Sequence, residues 1–279
     1  MTKEKNIQYV FIDSGIGGLS YLRHLKEIEP QSSCAYVADT KHFPYGEKTL
    51  EEVIEYTQNL VKKIIEELRP SVIIIACNTM TVSALSHLRK KFGIPFVGTV
   101  PAIKPAVLAS KNKKIAVLAT ERTVNDIYVQ NLIDEFGADC KFFMRADSVL
   151  VSKIENSLLS GSEEDKKAAI RPAVEFFKSA GTDTAVLGCT HFLHLRDEFK
   201  AVCEPDIRIV DSLDGVVNRA LKISPPQKLK EENSKLKEEN SKLKNIQKDI
   251  FYITSEETEE NTKKYSAYAD LFNMVLGYF

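Results

Sequence analysis

Short apolar runs rich in β-branched residues recur along the chain, at Ile7 to Ile12, Cys34 to Ala38, Val72 to Ala76, Ile115 to Ala119, Thr184 to Leu187 and Ile207 to Val210. Runs this short with little alternation predict strands buried on both faces. Between them lie longer stretches, Leu50 to Leu68 and Glu164 to Ala180, with apolar residues at helical spacing and Lys and Glu elsewhere. Strand alternating with helix predicts an α/β fold with mainly parallel sheets. Such sheets bind ligands beyond the carboxyl ends of their strands. The residues that follow the runs are therefore the candidates: Asp13-Ser14, Asp39-Thr40, Cys77-Asn78-Thr79, Cys189-Thr190-His191 and Asp211-Ser212.

Pro95, Gly98, Pro101 and Pro105 fall close together and predict a crossing between two halves rather than a regular element. A second crossing is expected near Asp206 to Ser212. The chain then builds a first lobe from residues 1–98 and 210–279 and a second from 99–209, with one cysteine motif in each. Within 228–244 the sequence Lys-Leu-Lys-Glu-Glu-Asn-Ser repeats, placing Leu229, Leu236 and Leu243 seven apart. One apolar position per heptad is too thin a seam for a coiled coil, so the stretch reads as a solvated helix or disordered insertion.

Composition narrows the function. A chain of 279 residues with 43% hydrophobic and 28% charged residues is globular in type, and its net charge of -1 provides no general pull toward nucleic acid or anionic lipid. A small-molecule partner is the default. The N-terminal apolar run is too short for a signal peptide or a membrane span. Five scattered cysteines without a secretory signal point to reduced thiols in the cytoplasm.

Cys77 follows an apolar strand and precedes a helical segment, Met80 to Leu88, so its thiol sits near a helix N-terminus, where an anion is stabilised. A lone cysteine there reads most simply as a small core residue. Cys189 repeats the arrangement, with Thr190 and His191 after it and Gly188 before it, a glycine expected to let the backbone approach a ligand. Two such motifs imply two thiols facing one cleft; Cys34, Cys140 and Cys203 lack these flanks and read as structural. Asp13-Ser14-Gly15-Ile16-Gly17-Gly18 forms a glycine-rich turn before a helix starting near Leu19, suited to presenting backbone donors to an anion. Its spacing is neither the dinucleotide fingerprint nor a P-loop. Asp13 reads either as a buried cap or as a carboxylate serving a thiol, and His191 either as a structural histidine or as an acid/base partner of Cys189. Tyr45, in the turn Phe43-Pro44-Tyr45-Gly46, is placed to close over a ligand.

Taken together, Asp13 to Leu19, Asp39-Thr40 with Pro44-Tyr45-Gly46, Ala76-Cys77-Asn78-Thr79 and Gly188 to Phe192 resemble the glutamate racemase family of the wider aspartate/glutamate racemase superfamily. The resemblance implies two pseudo-symmetric α/β lobes around a cleft and racemisation of glutamate without pyridoxal phosphate, metal or nucleotide. It implies catalytic Cys77 and Cys189 assisted by Asp13 and His191, and substrate contacts at Ser14, Tyr45, Gly46, Asn78, Thr79 and Thr190. D-glutamate for peptidoglycan, a cytoplasmic location and a homodimer follow from the same resemblance. The family's second-lobe glutamate has no match in Cys140 to Ser148, where the nearest acid is Asp147.

Inverting an amino acid without a cofactor requires a base on each face of the α-carbon, and a thiol with a reference pKa of about 8.5 can serve once its anion is stabilised. Rival expectations are an aspartate racemase or related two-cysteine isomerase, and a non-catalytic amino-acid-binding protein of the same fold. A cysteine hydrolase would leave Cys77 idle, and residues two apart seldom pair as nucleophile and base. A zinc site from Cys77, Cys189 and His191 fits no compact motif.

Overall fold

The computed structural model describes residues 7–226 and 248–279, so the repeat at 228–244 lies outside the described residues. Strands β1 (Tyr9–Asp13), β2 (Cys34–Ala38), β3 (Val72–Ile75) and β4 (Phe96–Gly98) open one sheet, and β5 (Lys114–Ala119), β6 (Lys141–Ala146), β7 (Thr184–Leu187) and β8 (Arg208–Val210) form another. The chain then returns to the first sheet with β9 (Ile250–Ile253) and β10 (Val275–Tyr278). The spatial orders are β10-β9-β2-β1-β3-β4 and β6-β5-β7-β8, with every neighbouring pair parallel. In each sheet the first four strands of the chain lie in the order second, first, third, fourth. The same winding thus occurs twice, which is the physical content of the pseudo-symmetry.

Alternation along the strands explains the layering. On β1, Tyr9 and Phe11 face one apolar cluster while Val10 and Ile12 face another. The second cluster is covered by the helix Leu50–Leu68, which enters through a capping box of Thr49 with Glu52 and buries Val53, Val61 and Ile64. Each fully buried side chain of this size contributes about 1.5–3 kcal/mol. The first cluster continues from Phe11 and Tyr36 through Leu150 and Ile154 to Phe177 and Phe199, so both lobes share it.

The segment expected to be an irregular crossing instead contains β4 and a helix, Ile103–Ala109. Pro105 is tolerated because it lies in the first turn, where backbone N–H groups have no intrahelical partner. The chain leaves the first sheet after β4 and the second after β8; Thr99 directly follows β4, and Ser212, within the stretch expected for the second crossing, lies two residues after β8. Tyr21 Oη lies 2.7 Å from the hydroxyls of both, which are 3.0 Å from each other. Asp211 meets Arg196 Nε at 2.7 Å and accepts from Leu213 N. Asp211 and Ser212 therefore secure the crossing and do not line the ligand cleft described below. Among the described residues, no helix is long and apolar enough to cross a membrane.

Candidate active site

A cavity of about 410 Å³ opens where the carboxyl ends of the two sheets face each other. Asp13, Ser14, Tyr45, Gly46, Cys77, Asn78, Thr79, Cys189, Thr190 and His191 all line it. Sequence reasoning missed further lining residues, among them Thr120, Glu121, Ser148 and Ser152. Thr120 closes the second lobe's side, with its hydroxyl 3.1 Å from that of Thr79 and its side chain against Gly46. Among the described residues no Lys or Arg lines the cavity; its polar lining includes hydroxyls, the Asn78 amide and the His191 imidazole.

On the first-lobe side β3 ends two residues before Cys77, whose extended backbone caps the helix Asn78–Lys91, and Met80 N–H points to its Sγ at 3.5 Å. Burial, reinforced by the Asp13 carboxylate, pushes this thiol well above its ordinary range. Asp13 is itself fully buried at the end of β1. Its Oδ1 accepts Ser14 N–H at 2.6 Å, and its Oδ2 accepts Gly18 N–H at 2.6 Å and the Thr190 hydroxyl at 3.0 Å. Burial raises the Asp13 carboxyl, an effect opposed by His191 and by these donors. Asn78 is 4% exposed, and its Oδ1 has no protein partner.

Cys189 occupies the equivalent point after β7, but its surroundings differ. The 3-10 segment Thr190–Leu195 folds His191 back so that Nδ1 lies 3.8 Å from Cys189 Sγ. A tight turn thus joins two residues that spacing alone had argued apart. His191 Nε2 lies 2.9 Å from Glu155 Oε2. Burial would lower His191, yet the contacts with Cys189 and Glu155 outweigh it and hold the imidazole at about 10. Gly188 serves packing: a Cβ there would meet Leu118 O at 3.1 Å and Ala119 Cβ at 3.2 Å, so its close neighbour is β5 rather than a ligand.

Glu155 is a buried acid behind His191 that sequence reasoning did not name. It is completely buried on the helix Ser148–Asn156 and, besides His191, accepts Ile16 N–H at 2.9 Å and the Tyr265 hydroxyl at 3.2 Å. Asp147, the acid nearest to the expected place, caps that helix by accepting Leu150 N–H at 3.0 Å. No local signal marks Glu155; only the folded chain brings it behind His191. Asp39 supports the site without lining it, since it accepts the Tyr45 hydroxyl and pairs with His42. Among the described residues no cluster of His, Cys, Asp or Glu has the makings of a metal site.

Residues 18–220 match the family model described as Asp/Glu/Hydantoin racemase. Glutamate racemase of Treponema pallidum is 38% identical over 272 residues, covering 98% of this chain and 96% of that protein. The Shewanella sp. (strain MR-7) glutamate racemase is 36% identical over 222 residues, covering 79% and 80%. The Escherichia coli glutamate racemase, solved with L-glutamate and the activator UDP-MurNAc-ala, superposes with a TM-score of 0.80 at 28% identity, over 98% of both chains. The RacE1 isoform from Bacillus anthracis shares the fold, with a TM-score of 0.75 at 23% identity over 99% of this chain and 98% of that one. On matches that run the length of the chain and a fold that agrees with them, this protein belongs to the glutamate racemase family of isomerases.

Proposed function

We propose that the protein interconverts L- and D-glutamate by a two-base mechanism in which Cys77 and Cys189 act on opposite faces of the α-carbon. The observation that carries this reading is the presence of both thiols, each at the end of the third strand of its lobe, in one cavity. The substrate carboxylates are held by hydroxyls and by the N-terminus of the helix Asn78–Lys91, where unpaired N–H groups and the helix dipole favour an anion. The same donors stabilise the negative charge that develops as the α-proton leaves.

One thiol must begin as thiolate and the other as thiol. Cys77 is kept protonated by burial and by Asp13, so it is poised as the donor. Cys189, with His191 and Glu155 lined up behind its sulfur, takes the complementary part in the transfer. After one turnover the protonation states are exchanged, and Asp13 and the His191–Glu155 pair return protons between the sulfurs and solvent. The cytoplasmic supply of D-glutamate for peptidoglycan is the role this activity would fill.

The deciding experiment follows optical inversion and α-deuteration of L- and D-glutamate in D2O without added cofactor, for the native protein, Cys77→Ser and Cys189→Ser. Inversion by the native protein that is lost in both variants supports the mechanism. Full turnover in either variant overturns it. Aspartate in place of glutamate tests the substrate, and tight glutamate binding without inversion would mark a binding protein instead.

A further inference from the structure

His191 is not the only histidine that the segment Thr190–Leu195 sends to the opposite lobe. In a 3-10 turn, residues three apart line up on one face, and His194 lies three after His191. Both converge on one residue of the glycine-rich turn, Ile16, His191 through Glu155 and His194 directly. Glu155, paired with His191, accepts Ile16 N–H at 2.9 Å, while His194 Nε2 lies 2.9 Å from Ile16 O. A carbonyl oxygen can only accept, so Nε2 carries the hydrogen. The ring is neutral, because burial lowers it to about 4, and its Nδ1 therefore accepts from the Ser20 hydroxyl at 3.2 Å. Phe272 packs edge-on against the ring.

Ile16 is the midpoint of the turn that wraps the Asp13 carboxylate, which holds Ser14 N–H at one end and Gly18 N–H at the other. The turn has little room to shift on its own, since a Cβ at Gly17 would come within 2.5 Å of the Thr190 hydroxyl and 2.7 Å of His191 Nδ1. We propose that His194 is a positioning residue for the Cys77 half of the reaction, fixing from the second lobe the turn that sets Asp13 beside Cys77. This rests on the racemase reading above. A neutral imidazole is suited to that position because it donates to one first-lobe group and accepts from another, which a lysine could not do.

Replacing His194 by leucine removes both bonds and keeps an apolar bulk; His194→Gln retains one donor and one acceptor. We expect His194→Leu to lower kcat about tenfold with KM within about twofold, as for a displaced positioning group, and His194→Gln to recover most of the loss. The enantiomers are equal in free energy, so kcat/KM must fall equally in both directions. The asymmetry therefore appears in primary deuterium isotope effects with 2-deuterated D- and L-glutamate. Slower transfer at Cys77 raises the effect for the enantiomer deprotonated there and lowers it for the other. Amide exchange across residues 14–19 should also quicken in His194→Leu and return toward native in His194→Gln. Where His194→Leu does not fold, Ser20→Ala, which removes one of the two bonds orienting the ring, should show a smaller asymmetry of the same sign. Isotope effects that move together, native kcat in His194→Leu, or no recovery with glutamine overturns the inference. Failure of the native protein to invert glutamate overturns the racemase reading itself, whatever the amide exchange shows.

Discussion

Cys77 and Cys189 stand at equivalent points of two lobes with the same winding, yet the first faces a buried carboxylate, Asp13, and the second a buried imidazole, His191. The folding pattern provides two thiols in mirrored positions; side chains outside that pattern make them unequal. Cross-lobe bonds enforce the difference. Thr190 of the second lobe donates to Asp13 of the first, while Thr79 of the first meets Thr120 of the second. A carboxylate behind one thiol and an imidazole behind the other suits the proposed reaction, which starts with one thiolate and one thiol.

The largest effect expected is from Cys77→Ser and Cys189→Ser, each lowering racemisation by about 10³-fold or more, because an alcohol replaces a thiol as acid or base. A difference between them would sharpen the comparison: residual exchange with one enantiomer only, detected as single-sided α-deuteration, would identify the face each sulfur serves. Glu155→Gln comes next. It keeps the volume but removes the charge behind His191, and breaking a buried pair of this kind costs about 3 kcal/mol. We expect kcat to fall about 100-fold and the denaturation midpoint to drop.

The pH behaviour of the two histidines in one segment tests the same asymmetry. His191 is raised from its ordinary 6.5 to about 10, so the stability it contributes is fully present below 6.5 and is lost as pH rises through about 10. His194 is lowered from 6.5 to about 4, so its contribution is present above 6.5 and is lost as pH falls through about 4. Unfolding measured against pH should therefore weaken on both sides. In Glu155→Gln the alkaline loss should be smaller and complete at lower pH, because one of the contacts that raise His191 is gone. An alkaline limb that does not move would break the assignment of Glu155 as its partner.

Much of this site was legible because its parts follow strands buried on both faces. Several of the runs were short, apolar and rich in β-branched residues, and the residues after β1, β3 and β7 were polar and unusual. What could not be read lacked such a signature. The strand β6 is Lys-Phe-Phe-Met-Arg-Ala at a sheet edge, half-exposed along its length, and so lacks the pattern of a buried strand. The strands β9 and β10 are four residues each and join the first sheet from far along the chain, pairing β9 with β2. Glu155 is one acid in an amphipathic helix that also exposes Val149; its burial is created by His191, Ile16 and Tyr265, none of which is its neighbour in sequence. His191 was one of two readings beside Cys189 in the sequence; what the sequence did not give is the 3-10 turn after the strand that brings the two side chains together.

The smallest effects come from a second pair of equivalent positions. Asp39 follows β2 and Asp147 follows β6, each the second strand of its lobe in chain order. Asp39 is 2% exposed and carries Tyr45, His42 and the Thr254 hydroxyl. Asp147 caps a helix and meets Arg145 at 3.3 Å near the surface. Removing Asp39 leaves buried donors without an acceptor, at about 2 kcal/mol, and frees the Tyr45 side of the cavity, so Asp39→Ala should raise KM as well as lower stability. Asp147→Ala removes one cap, about 1 kcal/mol, while its partly exposed ion pair adds little. Because Glu155 lies two turns further along the same helix and is held by three partners of its own, kcat in Asp147→Ala should stay within about twofold of native. A loss of kcat as large as that of Glu155→Gln would mean that the cap itself places Glu155, and that the two aspartates do the same work in both lobes.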